Sequence, residues 1–272
     1  YNALIATTTG GYNVSVGRTT GTALESGQQN IFIGYSAGSG TVDVDRSIVI
    51  GSGAGAGVMV AAADGTIAIG YEAGAAVTSG RYNTAVGYEA LKTNVDGDSN
   101  TAIGYQSMET FEAASDGDGA NTAVGYNSLQ QLINGQLNTA VGMRAGDVLT
   151  TGDDNAFFGS DAGGAATTAS GSTFIGASSG KTVTTGNRNI AIGFDAMTGG
   201  TTTGDNNIAI GASAGDAITS AHSNVFLGSD AGGGVTSGAE NVAIGRNAMA
   251  RGSATLDSAI AIGGYALDNA DS

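Results

Sequence analysis

Four tyrosines, Tyr71, Tyr88, Tyr105 and Tyr126, each follow an Ile-Gly or Val-Gly step and stand 17, 17 and 21 residues apart. Phenol rings repeated at near-constant spacing suit two tasks. An exposed row forms a glycan-stacking ladder against sugar rings, whereas a buried row fills a core with its hydroxyls at the edge. The acids suggest a second chemistry, since 24 Asp and Glu residues are enough to hide a glycosidase-like carboxylate pair. They fall in turns and at repeating loop positions rather than converging, so no catalytic residue is assigned. His222, the only histidine, lies in "TSAHSN" with no nucleophile or acid motif beside it, and it reads as a solvated loop residue. "DGDSN" at 96–100 and "DGDGAN" at 116–121 carry parts of a calcium loop, but neither supplies the distal bidentate Glu. Turn chemistry explains both, and no metal or cofactor is expected. The run Thr84, Thr101, Thr122 and Thr139 invites an ice-binding reading. Ile or Val replaces Thr at that point in most other repeats, so the array is short.

These spacings belong to one repeat that runs through the chain. If the glycine closing each apolar-Gly step is position zero, fifteen anchors run from Gly17 to Gly263; ten of the fourteen intervals are 17, and the others are 19, 21, 18 and 18. Small insertions without deletions are what a stacked coil tolerates when extra residues bulge from one loop. Four residues before the anchor stands Asn in eleven of fifteen repeats, with Ser47, Ser172 and Thr66 as polar substitutes; this is a turn position stacked into a ladder. Three apolar or Thr residues lead from it to the glycine and read as a short β-strand. Three residues after the anchor the side chain is small throughout (Ala90, Ser107, Ser128, Ala145), which implies close packing. Seven after it an apolar residue usually recurs (Leu24, Val58, Val77, Phe111, Leu132), and this predicts a second, shorter strand. Density of Gly and β-branched residues excludes helix. A hexapeptide solenoid is excluded by polar residues such as Lys92, Glu109 and Gln130 five after the anchor, where it needs aliphatic ones.

A trade in volume indicates which side chains share space. Where the residue two before the anchor is Ala, the one just after it tends to be large (Ala102 with Tyr105); where it is Phe, the later one is small (Phe174 with Ala177). Both positions are therefore expected to face one compartment of fixed size, which puts the tyrosines in the core. Residues one and three before the anchor alternate onto the opposite strand face and are also apolar or Thr. A strand apolar on both faces must be covered on both, and one coil covers only one of them. A partner for the other face is expected, with a second copy of the chain as the first candidate.

Composition narrows the partners further. The 272 residues include 48 Gly and no Pro, Cys or Trp, with 41% hydrophobic residues and a net charge of -15. That content supports an ordered core, while the charge repels phosphate backbones and anionic lipid, so neither nucleic acid nor membrane insertion is expected. The longest apolar run, 58–63, is far short of the ~20 residues a bilayer needs.

The N-[ST]-x-A-[IV]-G signature, clearest at Asn83 to Leu91, Asn100 to Met108 and Asn121 to Leu129, resembles repeats in the YadA-like heads of trimeric autotransporter adhesins. Its fuller form, NTA[IV]GY-x-[AS]-[LM], is similar to repeats in bacteriophage tail fibres. The resemblance covers essentially the whole chain and implies an all-β, left-handed parallel β-roll wound as a homotrimer. It also implies an extracellular location, on a virion tail fibre or a bacterial cell surface, and a role in host attachment; a host surface glycan is the candidate ligand that an exposed tyrosine ladder would suit. The repeat of 17 is longer than the adhesin-head unit. The opening "YNAL" matches "YEAL" at Tyr88 to Leu91, so residues 1–272 are expected to be one solenoid segment of about 16 coils, cut from a longer fibre. Coils at the usual strand spacing predict a rod roughly 75 to 80 Å long. The sequence thus predicts a structural and adhesive segment rather than an enzyme; a polysaccharide-degrading fibre is the rival from another class.

Overall fold

Every coil is built around one three-residue strand bounded by two conformational stops. The computed structural model describes residues 2–115, 118–251 and 254–268. Its contacts divide into two compact units, residues 1–137 and 138–272. The first holds β1 (Val14–Val16), β2 (Ile31–Ile33), β3 (Ile48–Ile50), β4 (Ile67–Ile69), β5 (Thr84–Val86), β6 (Thr101–Ile103) and β7 (Thr122–Val124). The second holds β8 (Thr139–Val141), β9 (Ala156–Phe158), β10 (Thr173–Ile175), β11 (Ile190–Ile192), β12 (Ile208–Ile210), β13 (Val225–Leu227), β14 (Val242–Ile244) and β15 (Ile260–Ile262). Within each unit every strand pairs in parallel with its sequence neighbours, one repeat apart and in register, as in Thr84↔Thr101 and Ile190↔Ile208. The fold is a parallel β-solenoid. The opening fragment is stacked like the rest: Leu4 N–H donates to Thr20 O at 3.2 Å, just as Gly21 N–H donates to Ala37 O at 3.0 Å.

The anchor glycine is demanded twice over. Its φ lies between 122° and 144°, a region L side chains avoid. A Cβ at Gly104 would also come within 2.2 Å of the Gly125 carbonyl oxygen, and one at Gly159 within 2.4 Å of that of Gly176. Upstream, the Asn ladder holds the turn. Asn83 Nδ2 donates to Gly97 O at 2.7 Å, while its Oδ1 accepts the Asn100 N–H at 2.9 Å. Repeated from Asn30 to Asn241, these buried amides complete the backbone bonding that a turn between stacked coils leaves open. The acids at the preceding turn act similarly: Asp98 Oδ1 accepts the Arg81 N–H at 2.8 Å and Asp205 Oδ1 that of Asn187 at 2.6 Å. Insertions enter after the core residues of one coil and before the next turn, as in the 3-10 turn Ala61–Ala63.

Three expectations need correction. The second strand is not formed; of the two isolated bridges among the described residues, Asp98↔Gly119 lies at the turn before the Asn ladder, and Val183↔Thr202 alone lies on the side of the coil expected to hold that strand. The coil bends there, and single bonds such as Thr150 N–H to Thr167 O at 2.8 Å hold successive coils together. Val58 is 55% exposed, and Met59 takes the inward place. The third concerns volume. The middle residue of every strand from Phe32 to Ala261 is buried, but the tyrosines are not its counterparts, being 42–51% exposed. Its true counterpart lies four after the anchor. Phe32, Phe157, Phe174 and Phe226 face Gly38, Gly163, Gly180 and Gly232, where an added Cβ would fall within 2.4–3.0 Å of the ring. Leu91, Met108, Leu129, Met197 and Met249, all buried, occur only beside Ala85, Ala102, Ala123, Ala191 and Ala243. The alternation argument failed because the glycine's positive φ redirects the chain, so the residue after it turns outward.

Candidate functional site

The side chains gathered by this outward turn form the most organised surface of the first unit. Tyr71, Tyr88, Tyr105 and Tyr126 stand in file, ring centroids 5.0, 5.2 and 5.2 Å apart and planes within 15° of parallel. Each strand step carries one ring, so in-register pairing alone sets this interval. The rings cover one another's faces and present edges and hydroxyls to solvent. The core-filling reading is therefore overturned, and the stacking ladder reading is altered, since a sugar cannot lie on a face already covered. Phe194, 62% exposed, occupies the same slot in the second unit between Ala177 and Ala212.

A polar border runs beside the phenols. The residue after each tyrosine, Glu72, Glu89, Gln106 or Asn127, has a positive φ of 50–54°, which turns it along the edge toward the side chains five after the anchor. Lys92 Nζ reaches Glu72 at 2.7 Å and Glu89 at 2.8 Å. Gln106 donates to Glu89 at 2.8 Å, Gln130 to Glu109 at 2.8 Å and to Gln106 at 3.2 Å, and Asn127 to Gln130 at 2.8 Å. Hydrogen bonds from the Lys92 ammonium hold the Glu72 and Glu89 carboxyls below their ordinary range, and the two carboxylates raise Lys92 in turn. A hydrogen bond to the Glu72 carboxylate, with its charge, pushes the Tyr71 phenol up. The sequence contained this border as a charge pattern at fixed offsets, but only the positive φ showed that the two columns meet.

The other candidates stay apart. His222 is exposed, and its carbonyl accepts the Glu240 N–H at 3.2 Å. No group of three or more His, Asp or Glu among the described residues is arranged to hold a metal ion; Asp116 and Gly117 of the second acidic loop lie outside them. Asp96 and Glu112 approach each other, and burial with the Asp96 charge raises the Glu112 carboxyl. Thr84, Thr101 and Thr122 lie half-buried on the outward strand face, among Ile and Val of neighbouring coils. No helix among the described residues is long and apolar enough to cross a membrane.

That outward strand face is the second surface of note. Residues one and three before the anchor are half-buried or exposed in every coil, as with Ile103 at 39% and Leu227 at 44%. Within each unit the residues one before the anchor form a column of Val, Ile, Leu or Phe, and those three before it a column in which Thr, as at Thr84 and Thr173, interrupts Ile, Val and Ala. Comparison with protein-family models, curated proteins and solved structures finds no significant match.

Proposed function

We propose that this chain is a structural and adhesive fibre segment that assembles as a homotrimer through the outward face of its strands. Its closest functional description is the shaft or head of a phage tail fibre, displayed outside the cell and used for host attachment. The head of a bacterial cell-surface adhesin is the alternative. One observation carries the assembly reading: parallel sheets are ordinarily covered on both faces, yet here the column one before the anchor, Val, Ile, Leu or Phe in every coil, remains half-open on the strands of each unit. Such a stripe repeats with the coil, so a second copy with the same repeat matches it along its length. The attachment reading draws on the resemblance of the NTA[IV]GY repeats. Antibodies against the chain, imaged on intact virions and intact bacterial cells, test it. Label along a virion fibre supports the first description and label on a cell envelope the alternative. Label confined to the cell interior overturns both.

A further inference from the structure

The tyrosine file carries hydrogen-bonding capacity that the fold does not use. Among the described residues no protein group bonds the hydroxyls of Tyr88, Tyr105 and Tyr126, so three donor-acceptor groups stand in a row at the ring interval of 5.2 Å. The border beside them is held in place by its own hydrogen bonds, which lowers the ordering cost of binding. Within it, the Asn127 Oδ1 is buried and has no partner. Its amide orientation is set by the Nδ2 bond to Gln130, which leaves this acceptor unsatisfied beneath the surface of the border.

We propose that this edge binds a neutral, linear, hydroxyl-rich polysaccharide laid along the file, through hydrogen bonds to the phenol hydroxyls and to the amides beside them. Repetition favours a repeating ligand, and one sugar residue of an extended pyranose chain spans about one ring-to-ring step. The charge selects among glycans. Glu72, Glu89 and Glu109 outnumber the single Lys92, whose ammonium is already shared by two carboxylates, so a uronic or sialic acid chain is repelled. Contact is by edge and hydroxyl rather than by face, because the rings cover one another. The proposal rests on the attachment reading above, whose host-surface ligand it names, and is independent of assembly.

The test uses the whole chain with cellohexaose, xylohexaose, mannohexaose and maltohexaose as probes, the corresponding disaccharides, and hyaluronan as the anionic control. With nine Tyr and no Trp, intrinsic tyrosine fluorescence reports the site, and calorimetry confirms stoichiometry. At least one neutral hexasaccharide is expected to bind saturably, at least about tenfold more tightly than its disaccharide, with hyaluronan not binding. The Tyr88→Phe, Tyr105→Phe variant keeps the ring stack and removes two hydroxyls; its melting is expected to match the wild type and its binding to weaken at least about fivefold. Asn127→Asp, which adds a charge at the unpaired acceptor, tests the border separately and is expected to weaken binding too. Absence of binding by all four neutral probes, preference for hyaluronan, or unchanged binding by the double variant overturns the proposal. A surface-displayed protein that binds none of them retains the attachment reading and loses only this one.

Discussion

The interior compartment can be rebuilt by exchanging which strand neighbour fills it. Phe174 is buried and stacks on Phe157 at 5.0 Å, and a Cβ on Gly180 would sit 2.5 Å from its ring. Phe174→Ala alone removes a buried ring and leaves a cavity, at a cost of ~3–5 kcal/mol. Gly180→Leu alone places a side chain where the ring stands, costing ~1–3 kcal/mol for overpacking, and keeps a non-glycine residue in the left-handed region for ~1–2 kcal/mol more. Together the two changes reproduce the Ala85 and Leu91 arrangement, in which Leu91 already holds a φ of 51°. The double variant then retains only the backbone cost and the lost stack, worth ~0.5–1.5 kcal/mol. Losses that add to ~5–10 kcal/mol separately are expected to fall to ~1.5–3.5 kcal/mol combined, a coupling of about 3 kcal/mol or more. Guanidinium unfolding of wild type, both singles and the double measures it. Additivity to within ~0.5 kcal/mol refutes the shared compartment. Ala102→Phe with Tyr105→Ser is expected to be additive, because Ala102 is buried against Met108 and Tyr105 is not.

Gly104→Ala is expected to destabilise by about 3 kcal/mol or more in the same assay, whereas Gly11→Ala, with nothing within 4 Å of the added carbon, changes little. Asn224→Ala strips partners from the Gly238 carbonyl and the Asn241 N–H, for an expected loss of ~2–4 kcal/mol. Asn224→Ser is expected to lose less, since Ser172 serves in the ladder by accepting the Asn189 N–H at 3.2 Å. Burial, with the charge of Asp230, raises the Asp216 carboxyl above its ordinary 3.8. The folded state therefore holds this proton more tightly than the unfolded state, and stability falls as pH rises from 3.8 through the raised value. Asp216→Asn is expected to melt higher than wild type at neutral pH and to converge with it in acid; a variant that melts lower at neutral pH contradicts the sign.

Much of the coil was legible because its constraints are local. Gly at each anchor answers to one close backbone approach, Asn four before it to the hydrogen bonds of its own turn, and the small residue three after it to full burial, as at Gly104, Asn83 and Ala90. Side-chain direction beyond the glycine was not legible, because period-2 alternation applies only while φ stays extended. The left-handed residues two and four after the anchor hid the rest. A Leu or Met at φ near 50°, as at Leu91 and Met108, runs against the preference of L residues, so nothing marked those positions as core. The sequence does hold the missing signal: all four strand-centre Phe residues are followed six positions later by Gly. As for the border beside the tyrosines, its charges were visible but their meeting was not, since it depends on the same turn.

Light scattering of the purified chain at micromolar concentration tests the assembly most directly. The open apolar face predicts association, and the resemblance of the repeats sets the proposed particle at three times the 26.4 kDa chain mass, reduced to smaller species by Ile175→Lys with Ile192→Lys on the outward face. A stable, soluble wild-type monomer of 26.4 kDa contradicts the homotrimer and with it the role given to that face.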